Sequence, residues 1–405
     1  MRLALRTNFL VFGMLICGSA TMVSTQSRPR VFLLSSSDLR ETKRLYSAGD
    51  KTVLAAAGSL LRDADKALKG GTFSVVTKGV TPPSGDKHDY MSQAPYFWPD
   101  PAKKDGLPYT RRDGERNPEI NKISDHDSLD RMVNAVSNLS LAYYLKGDER
   151  YAAKAVEVLR AWFLDPGTRM KPNLDYAQGI PGINTGRGIG LIETRGLTRV
   201  VDSIGLLEGS KSLTDADRRG INDWFDQFLR WMQESKNGRD ESNSKNNHGT
   251  YYDLQTATFA LFLGKTSLAK NILETAKQKR IAFQIEPDGR QPLELERTKA
   301  WSYSIGNLDG LMQLATLGES VGVDLWNYQT NDGRSIRKAI DYLYPFTAGE
   351  KWTFKQLGEW QPQALVPLMK RAAEHYKDEK FRAMLTKVSG TDGITSAGLV
   401  FANRW

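Results

Sequence analysis

The chain holds one cysteine, Cys17, among 405 residues. That excludes a disulfide framework and any cysteine-built metal centre. Beyond the first twenty residues, no apolar run is long enough to cross a bilayer. Lysine and arginine never cluster into the basic arm of a nucleic-acid binder; the net charge of +9 is spread along the chain. No fixed-period repeat of the tetratricopeptide or armadillo kind is present. Stretches with strand-like alternation are few, which leaves little room for sheet.

What is present supports a large folded unit. Hydrophobic residues make up 40% and aromatics 10%, enough for a substantial core. A diffuse positive balance would also raise the local concentration of an anionic polymer. At the N-terminus, Arg2 and Arg6 precede the apolar run from Phe9 to Cys17, and Gly18, Ser19 and Ala20 follow. This is the layout of a secretory signal peptide, with cleavage expected after Ala20. Export to the periplasm or the medium is therefore expected. The mature chain would lose its only thiol, and losing Arg2 and Arg6 would lower its charge from +9 to +7.

Helical periodicity dominates the remainder. Leu129, Met132, Val133, Val136, Leu139, Ala142 and Tyr143 recur at three and four, and Gly147 then stops the pattern. Asp148 is placed to cap a following helix that carries Ala152, Ala155, Val156, Leu159 and Phe163. Thr214 to Asp217 has the form of a capping box opening a helix through Trp224, Phe225 and Phe228. Further helices are expected near 38–47, 52–68, 254–263, 268–281, 305–315, 334–346, 360–375 and 378–387. Such helix–turn–helix pairs curl into an open solenoid or a closed α/α toroid. The lack of a repeat favours the toroid. The expected fold is all-α: residues 21–405 as one α/α toroid of about six or seven helical hairpins, after a signal peptide at 1–20.

Three long segments, about 70–123, 165–192 and 286–298, interrupt the helices, and long loops in a compact domain are commonly functional. They carry Tyr96 and Trp98, then Tyr176, Gln178 and Arg187. Flat aromatics beside amides and guanidinium groups suit a sugar chain, offering faces to stack on and donors for hydroxyls and carboxylates.

Two polar clusters carry the chemistry. One runs from Ser244 to Tyr252 and contains Asn247 and His248; the other runs from Glu294 to Tyr303 and contains Arg297. An amide, an imidazole, a guanidinium and a phenol suit removal of the C5 proton of a uronic acid with expulsion of the O4 group. That proton is weakly acidic until the neighbouring carboxylate is neutralised. Asn247 and Arg297 can neutralise it, His248 can join them or take the proton, and Tyr303 can act as acid or base. Tyr252 and Trp301 are expected to contact the substrate. Bland readings stand beside these: Asn246 and Asn247 as a helix cap, Arg297 as the partner of Glu294 or Glu296, Trp301 and Tyr303 as core. Asp125, His126 and Asp127 offer metal-type donors without a recognised ligand spacing, and no metal or cofactor is expected. A glycosidase would need only two carboxylates, with Asp125, Asp127, Glu193, Glu294 and Glu296 available.

At these residues the chain resembles the alginate lyase superfamily of polysaccharide lyases. The segments HDYMSQAPYFWPDP, LPYTRRDGERNPE, NLDYAQGIPGINTGRGIG, SKNNHGTYYDLQ and EPDGRQPLELERTKAWSYS look like its signature blocks and span about residues 86–307. The resemblance implies an α/α toroid whose cleft binds an anionic uronan and cleaves it by metal-independent β-elimination. It places the family's Asn–His pair on Asn247 and His248, its arginine on Arg297 and its tyrosine on Tyr303, with Tyr251 and Tyr252 as alternative phenols. Tyr176 would sit on a lid-like loop and Arg187 would help hold the polymer. Alginate is the favoured polymer, with glucuronan as an alternative. A glycoside hydrolase and a glycan-binding protein without turnover remain the rival readings.

Overall fold

A computed structural model describes residues 29–390, together with 398 and 400. The expected signal peptide, Cys17 included, lies outside the described residues. Among the described residues the chain forms fourteen α-helices. They are α1 Ser36–Ser47, α2 Lys51–Leu68, α3 Asp125–Lys146, α4 Glu149–Phe163, α5 Leu197–Leu206, α6 Asp215–Glu234 and α7 Lys236–Ser242. There follow α8 Asn247–Phe262, α9 Thr266–Ala276, α10 Pro292–Leu295, α11 Ala300–Glu319, α12 Ile336–Thr347, α13 Val366–Tyr376 and α14 Glu379–Ser389.

Local signals start and stop these helices where the sequence places them. Asp148 accepts the Arg150 N–H and opens α4. Thr214 and Asp217 form the reciprocal capping box of α6. Gly147 adopts φ 68° and ends α3, a conformation that costs glycine little. Three helices escape the periodic reading, among them the four-residue α10 inside the expected loop 286–298. α5 follows directly on the 3₁₀ run Gly188–Gly196, so its apolar pattern merges with the preceding loop. α7 buries only Gly238 and Glu241 and has no apolar stripe.

α1/α2, α3/α4, α8/α9, α11/α12 and α13/α14 pack as helical hairpins of an α/α toroid, while α6 follows α5 in the chain and packs on α4, α7 and α8. α3, α5, α8 and α11 touch one another in that order and form the inner wall. In the chain they are followed by α4, α6, α9 and α12. Burial on all sides marks them: α5 buries every residue except Arg199, and α8 every residue except His248 and Tyr251. Phe163, Trp224, Phe225, Phe228 and Phe259 interlock between inner and outer layers with ring centroids 4.8–5.9 Å apart.

Strands are few among the described residues, as expected, and short. β1 (Met91–Gln93) pairs in parallel with β4 (Tyr176–Gly179), and β2 (Phe97–Trp98) pairs antiparallel with β3 (Thr110–Arg111). The first pair ties two of the long loops together. Met91 N–H bonds to Asp125 at the start of α3, so this tie sits at the N-terminal end of the inner helices.

Candidate active site

Asn246 caps α8 by accepting the His248 N–H, as the bland reading of this pair required. The cap also sets Asn247 and His248 in the first turn, where the helix presents its positive end. Asn247 gives its backbone N–H to Glu294 Oε1 at 2.7 Å and its side-chain N–H to Glu294 Oε2 at 2.6 Å. Glu294, on α10, is buried; burial pushes its carboxyl up and the two Asn247 bonds work against that rise. The Arg297 charge also acts on this carboxylate. The two polar clusters therefore meet, with Glu294 between them.

His248 keeps 15% of its side chain exposed, and its Nδ1 lies 2.7 Å from Oε1 of Glu241, which is 1% exposed. Arg297 pairs with neither Glu294 nor Glu296. It grips Asp113 through Nε at 3.2 and 3.3 Å and through Nη2 at 2.9 Å. Asp113 also accepts the Thr298 N–H and hydroxyl. Burial pushes the Asp113 carboxyl up, but the Arg297 and Thr298 bonds outweigh it and hold it well below the carboxylate range. The Arg297 guanidinium lies 4.0 Å from the ring centre of Tyr303.

Tyr303, in the first turn of α11, donates its hydroxyl hydrogen to the Tyr96 hydroxyl at 3.0 Å. Burial first, and the Tyr96 bond second, push the Tyr303 phenol well up, against the opposing pull of Arg297. It is protonated at neutral pH. Tyr251 donates to the Gly306 carbonyl at 2.8 Å, and Arg195 lies 5.8 Å over its ring.

The expected substrate contacts divide in two. Tyr96, Trp98, Tyr176 and Arg187 are partly exposed on the loops. Trp98 gives its indole N–H to Glu115 and carries Arg112 5.3 Å over its ring. Arg187 donates to the carbonyl and side chain of Gln178 and packs 5.1 Å over Phe97. Three others are buried. Gln178 is 6% exposed and braces Arg187. Tyr252 is 7% exposed, gives its hydroxyl to Met232 and lines a cavity of about 360 Å³ with Arg239, Asn243, Asn271 and Lys279, beside the outer helices α6 and α9. Trp301 is 1% exposed, wedged among Phe346, Trp352 and Trp360 with its N–H on Gln361. Stacking needs an open ring face, and burial leaves Tyr252 and Trp301 none, so their substrate-contact reading is corrected; Gln178 offers an amide rather than a ring, and that argument does not reach it.

The metal-type segment is otherwise engaged. Asp125 is buried against Lys78 at 3.0 Å. His126 pairs with Asp130, whose bond pushes its imidazole up to about 9 against burial, so it is a cation at neutral pH and a poor ligand. Among the described residues no three His, Cys, Asp or Glu side chains are grouped to hold a metal. His375 stacks on Trp326 and pairs with Glu319.

Two carboxylates of the site escaped the sequence reading. Asp113 lies inside the LPYTRRDGERNPE segment, but nothing local links it to a residue 184 positions away. Glu241 sits seven residues before His248 with a helix boundary between them.

The family model described as alginate lyase matches residues 74–353. Among solved structures, an alginate lyase from Bacteroides ovatus is similar at 40% identity, covering 92% of this chain and 99% of that one, with a TM-score of 0.87. Alginate lyase A1-III from Sphingomonas species A1 shares the fold at 15% identity, over 87% of this chain and 91% of that one, with a TM-score of 0.55. A variant of A1-III complexed with tetrasaccharide gives 15% identity, 88% and 91% coverage, and a TM-score of 0.57. No curated protein sequence matches the chain. A match across most of the chain, together with the near-complete overlap with the Bacteroides ovatus structure, establishes that this protein belongs to the alginate lyase family of polysaccharide lyases.

Proposed function

We propose that this protein is an exported lyase that cleaves a 1,4-linked polyuronate, with alginate as the favoured polymer, by β-elimination without a metal. The observation that carries this reading is a protonated phenol, Tyr303, held against the Arg297 guanidinium, while Glu294 links that guanidinium electrostatically to the Asn247–His248 turn.

The roles follow from what each group has left to give. Asn247 spends one amide hydrogen on Glu294 and keeps a second. Asn247 is 4% exposed, but a hydrogen bond needs only one accessible hydrogen, whereas stacking needs a ring face. Arg297 bonds to Asp113 through Nε and Nη2, and its Nη1 has no hydrogen-bond partner among the described residues. These donors, with the positive end of α8, neutralise the uronate carboxylate and make the C5 carbanion tolerable. As the C5–H bond breaks, its electron pair forms the C4–C5 double bond and the C4–O4 bond leaves. Tyr303 gives its proton to O4, and a base takes the C5 proton. The elimination consumes no water. Tyr96, Trp98, Tyr176 and Arg187 flank the reacting sugar and hold the polymer.

Incubation of the purified protein with polymannuronate, polyguluronate and glucuronan tests this. Ultraviolet absorbance from the conjugated C4–C5 double bond is expected to rise on at least one polymer. Chain shortening without absorbance would make it a hydrolase, and binding without shortening would make it a glycan-binding protein.

A further inference from the structure

Glu241 is the most unusual carboxylate of the site. It is 1% exposed, yet it sits on a seven-residue helix with no apolar stripe. Burying a carboxylate costs several kcal/mol unless hydrogen bonds compensate. Here two donors do so: His248 Nδ1 at 2.7 Å to Oε1, and the Ser244 hydroxyl at 3.1 Å to Oε2.

The surroundings hold this carboxylate in place. Arg280 is fully buried on the π-helical turn Lys277–Ala282 and donates to the carbonyls of Ser242 and Ser244, clamping the link between α7 and α8. Wide helical turns of this kind often occur at functional sites. On the other side, Gly188 lets the Arg187 loop rest directly on α7. A Cβ there would stand 2.6 Å from the Asn237 carbonyl and 3.0 Å from the Glu241 nitrogen.

We propose that Glu241 is a positioning residue of the elimination: it holds the Nδ1–H of His248 and so leaves the Nε2 lone pair as the base that removes the C5 proton. The inference rests on the lyase reading above and deepens it by separating the two proton movements. A neutral imidazole carries one N–H, and the partner of one nitrogen decides which atom bears it. A carboxylate only accepts, so the hydrogen sits on Nδ1. The division fits the other half of the site: Tyr303, already protonated, is left to supply O4 rather than to take a proton. The C5 proton ends on His248 Nε2 and the Tyr303 proton on the leaving O4. Exchange with solvent then returns both groups to their starting states. Glu241 reaches no reacting atom and acts only through the imidazole.

Charges from several elements bear on this pair. Glu241 comes from α7 and Glu294 from α10, Arg297 lies beyond Glu294, and Arg187 acts on Glu241 from the loop before α5. Tyr252, on α8 itself, also feels Glu241.

Two measurements decide the matter. Nitrogen-15 NMR of the four histidines, with His248 assigned by its His248→Gln variant, is expected to show a protonated Nδ1 and a bare Nε2 above the titration of the ring. A proton on Nε2 would overturn the proposal, and this readout needs no turnover. In the kinetic arm, Glu241→Gln keeps an acceptor for Nδ1–H but removes the charge. The imidazolium loses a stabilising partner, so the acid limb of the kcat/KM profile should move about one unit to lower pH, with KM within about threefold. Glu241→Ala should lower kcat about 10²-fold. If Glu241→Ala does not fold, Glu241→Gln decides alone. An unmoved acid limb in the glutamine variant refutes the positioning role, whereas absence of ultraviolet product from the unaltered protein refutes the lyase reading instead.

Discussion

The Arg280–Asp253 pair is the strongest structural prediction, because one buried cation serves three segments. Arg280 is fully buried and places Nε 2.7 Å and Nη2 3.1 Å from the Asp253 oxygens, Nη1 2.7 Å from Ser244 O and Nη2 2.9 Å from Ser242 O. Asp253 is 5% exposed, and burial pushes its carboxyl up even with Arg280 beside it. Arg280→Met fills similar space but leaves that carboxylate and two carbonyls without their donor. Breaking a buried pair in this way costs about 3–5 kcal/mol. At about 2.1 cal/mol/K per residue, unfolding of residues 29–390 carries about 0.8 kcal/mol/K of entropy, so Tm should fall by about 4–7 °C. Differential scanning calorimetry measures this directly. Replacing both partners removes the orphaned charge, so Arg280→Met with Asp253→Leu should recover most of the lost Tm. A double variant whose loss equals the sum of the two single losses would refute the reasoning. Activity adds a second reading: the clamp on Ser242 and Ser244 precedes His248, so kcat should fall even in the double variant. Gly249 belongs to the same contact, since a Cβ there would stand 2.3 Å from Arg280 Nη1 and 2.2 Å from Ser244 O. Gly249→Ala should therefore lower both Tm and kcat.

Further outcomes follow from the site and the surface. Tyr303→Phe removes the only proton offered to O4; kcat should drop about 10²-fold or more while oligouronate binding by calorimetry stays within a few-fold. Asp113→Ala frees Arg297 from its three short contacts. Because misplacement by about 1 Å can cost 10²-fold, kcat/KM should fall by roughly 10–10²-fold with the circular dichroism spectrum unchanged. Asp217, bonded first by Arg160 and also by Thr214, is held down to about 2. A depressed carboxyl stabilises the fold above its unfolded pKa near 3.8 and loses that contribution as pH falls toward 2. The Tm deficit of Asp217→Asn should accordingly be full at pH 6 and shrink between pH 4 and 2; a deficit independent of pH would refute the assignment.

Much of the fold was legible because the outer helices carry one apolar face and recognisable caps. Thr214 and Asp217 at α6, Asp148 at α4 and Gly147 at the end of α3 all act as their local chemistry dictates. α5, α7 and α10 were not, the first merged into a 3₁₀ run, the second lacking an apolar stripe and the third only four residues long. In the site, local chemistry singled out Asn247, His248, Arg297 and Tyr303, each an uncommon polar group within a helical or near-helical run. It also drew in Tyr252 and Trp301 by adjacency, and both rings are buried.

The amino-acid order alone settled the helical architecture, the hairpin rhythm and the two clusters able to handle protons, because capping and periodicity act over a few residues. It did not settle which side of α8 or α11 faces the cleft. Those inner helices are buried nearly all round, so no apolar stripe distinguishes inside from outside. Nor did it pair Asp113 with Arg297 or Tyr96 with Tyr303, contacts that span 184 and 207 residues. Such bonds depend on where the loops land once the toroid has closed. Only the folded chain brings Asp113 to Arg297 and Tyr96 to Tyr303.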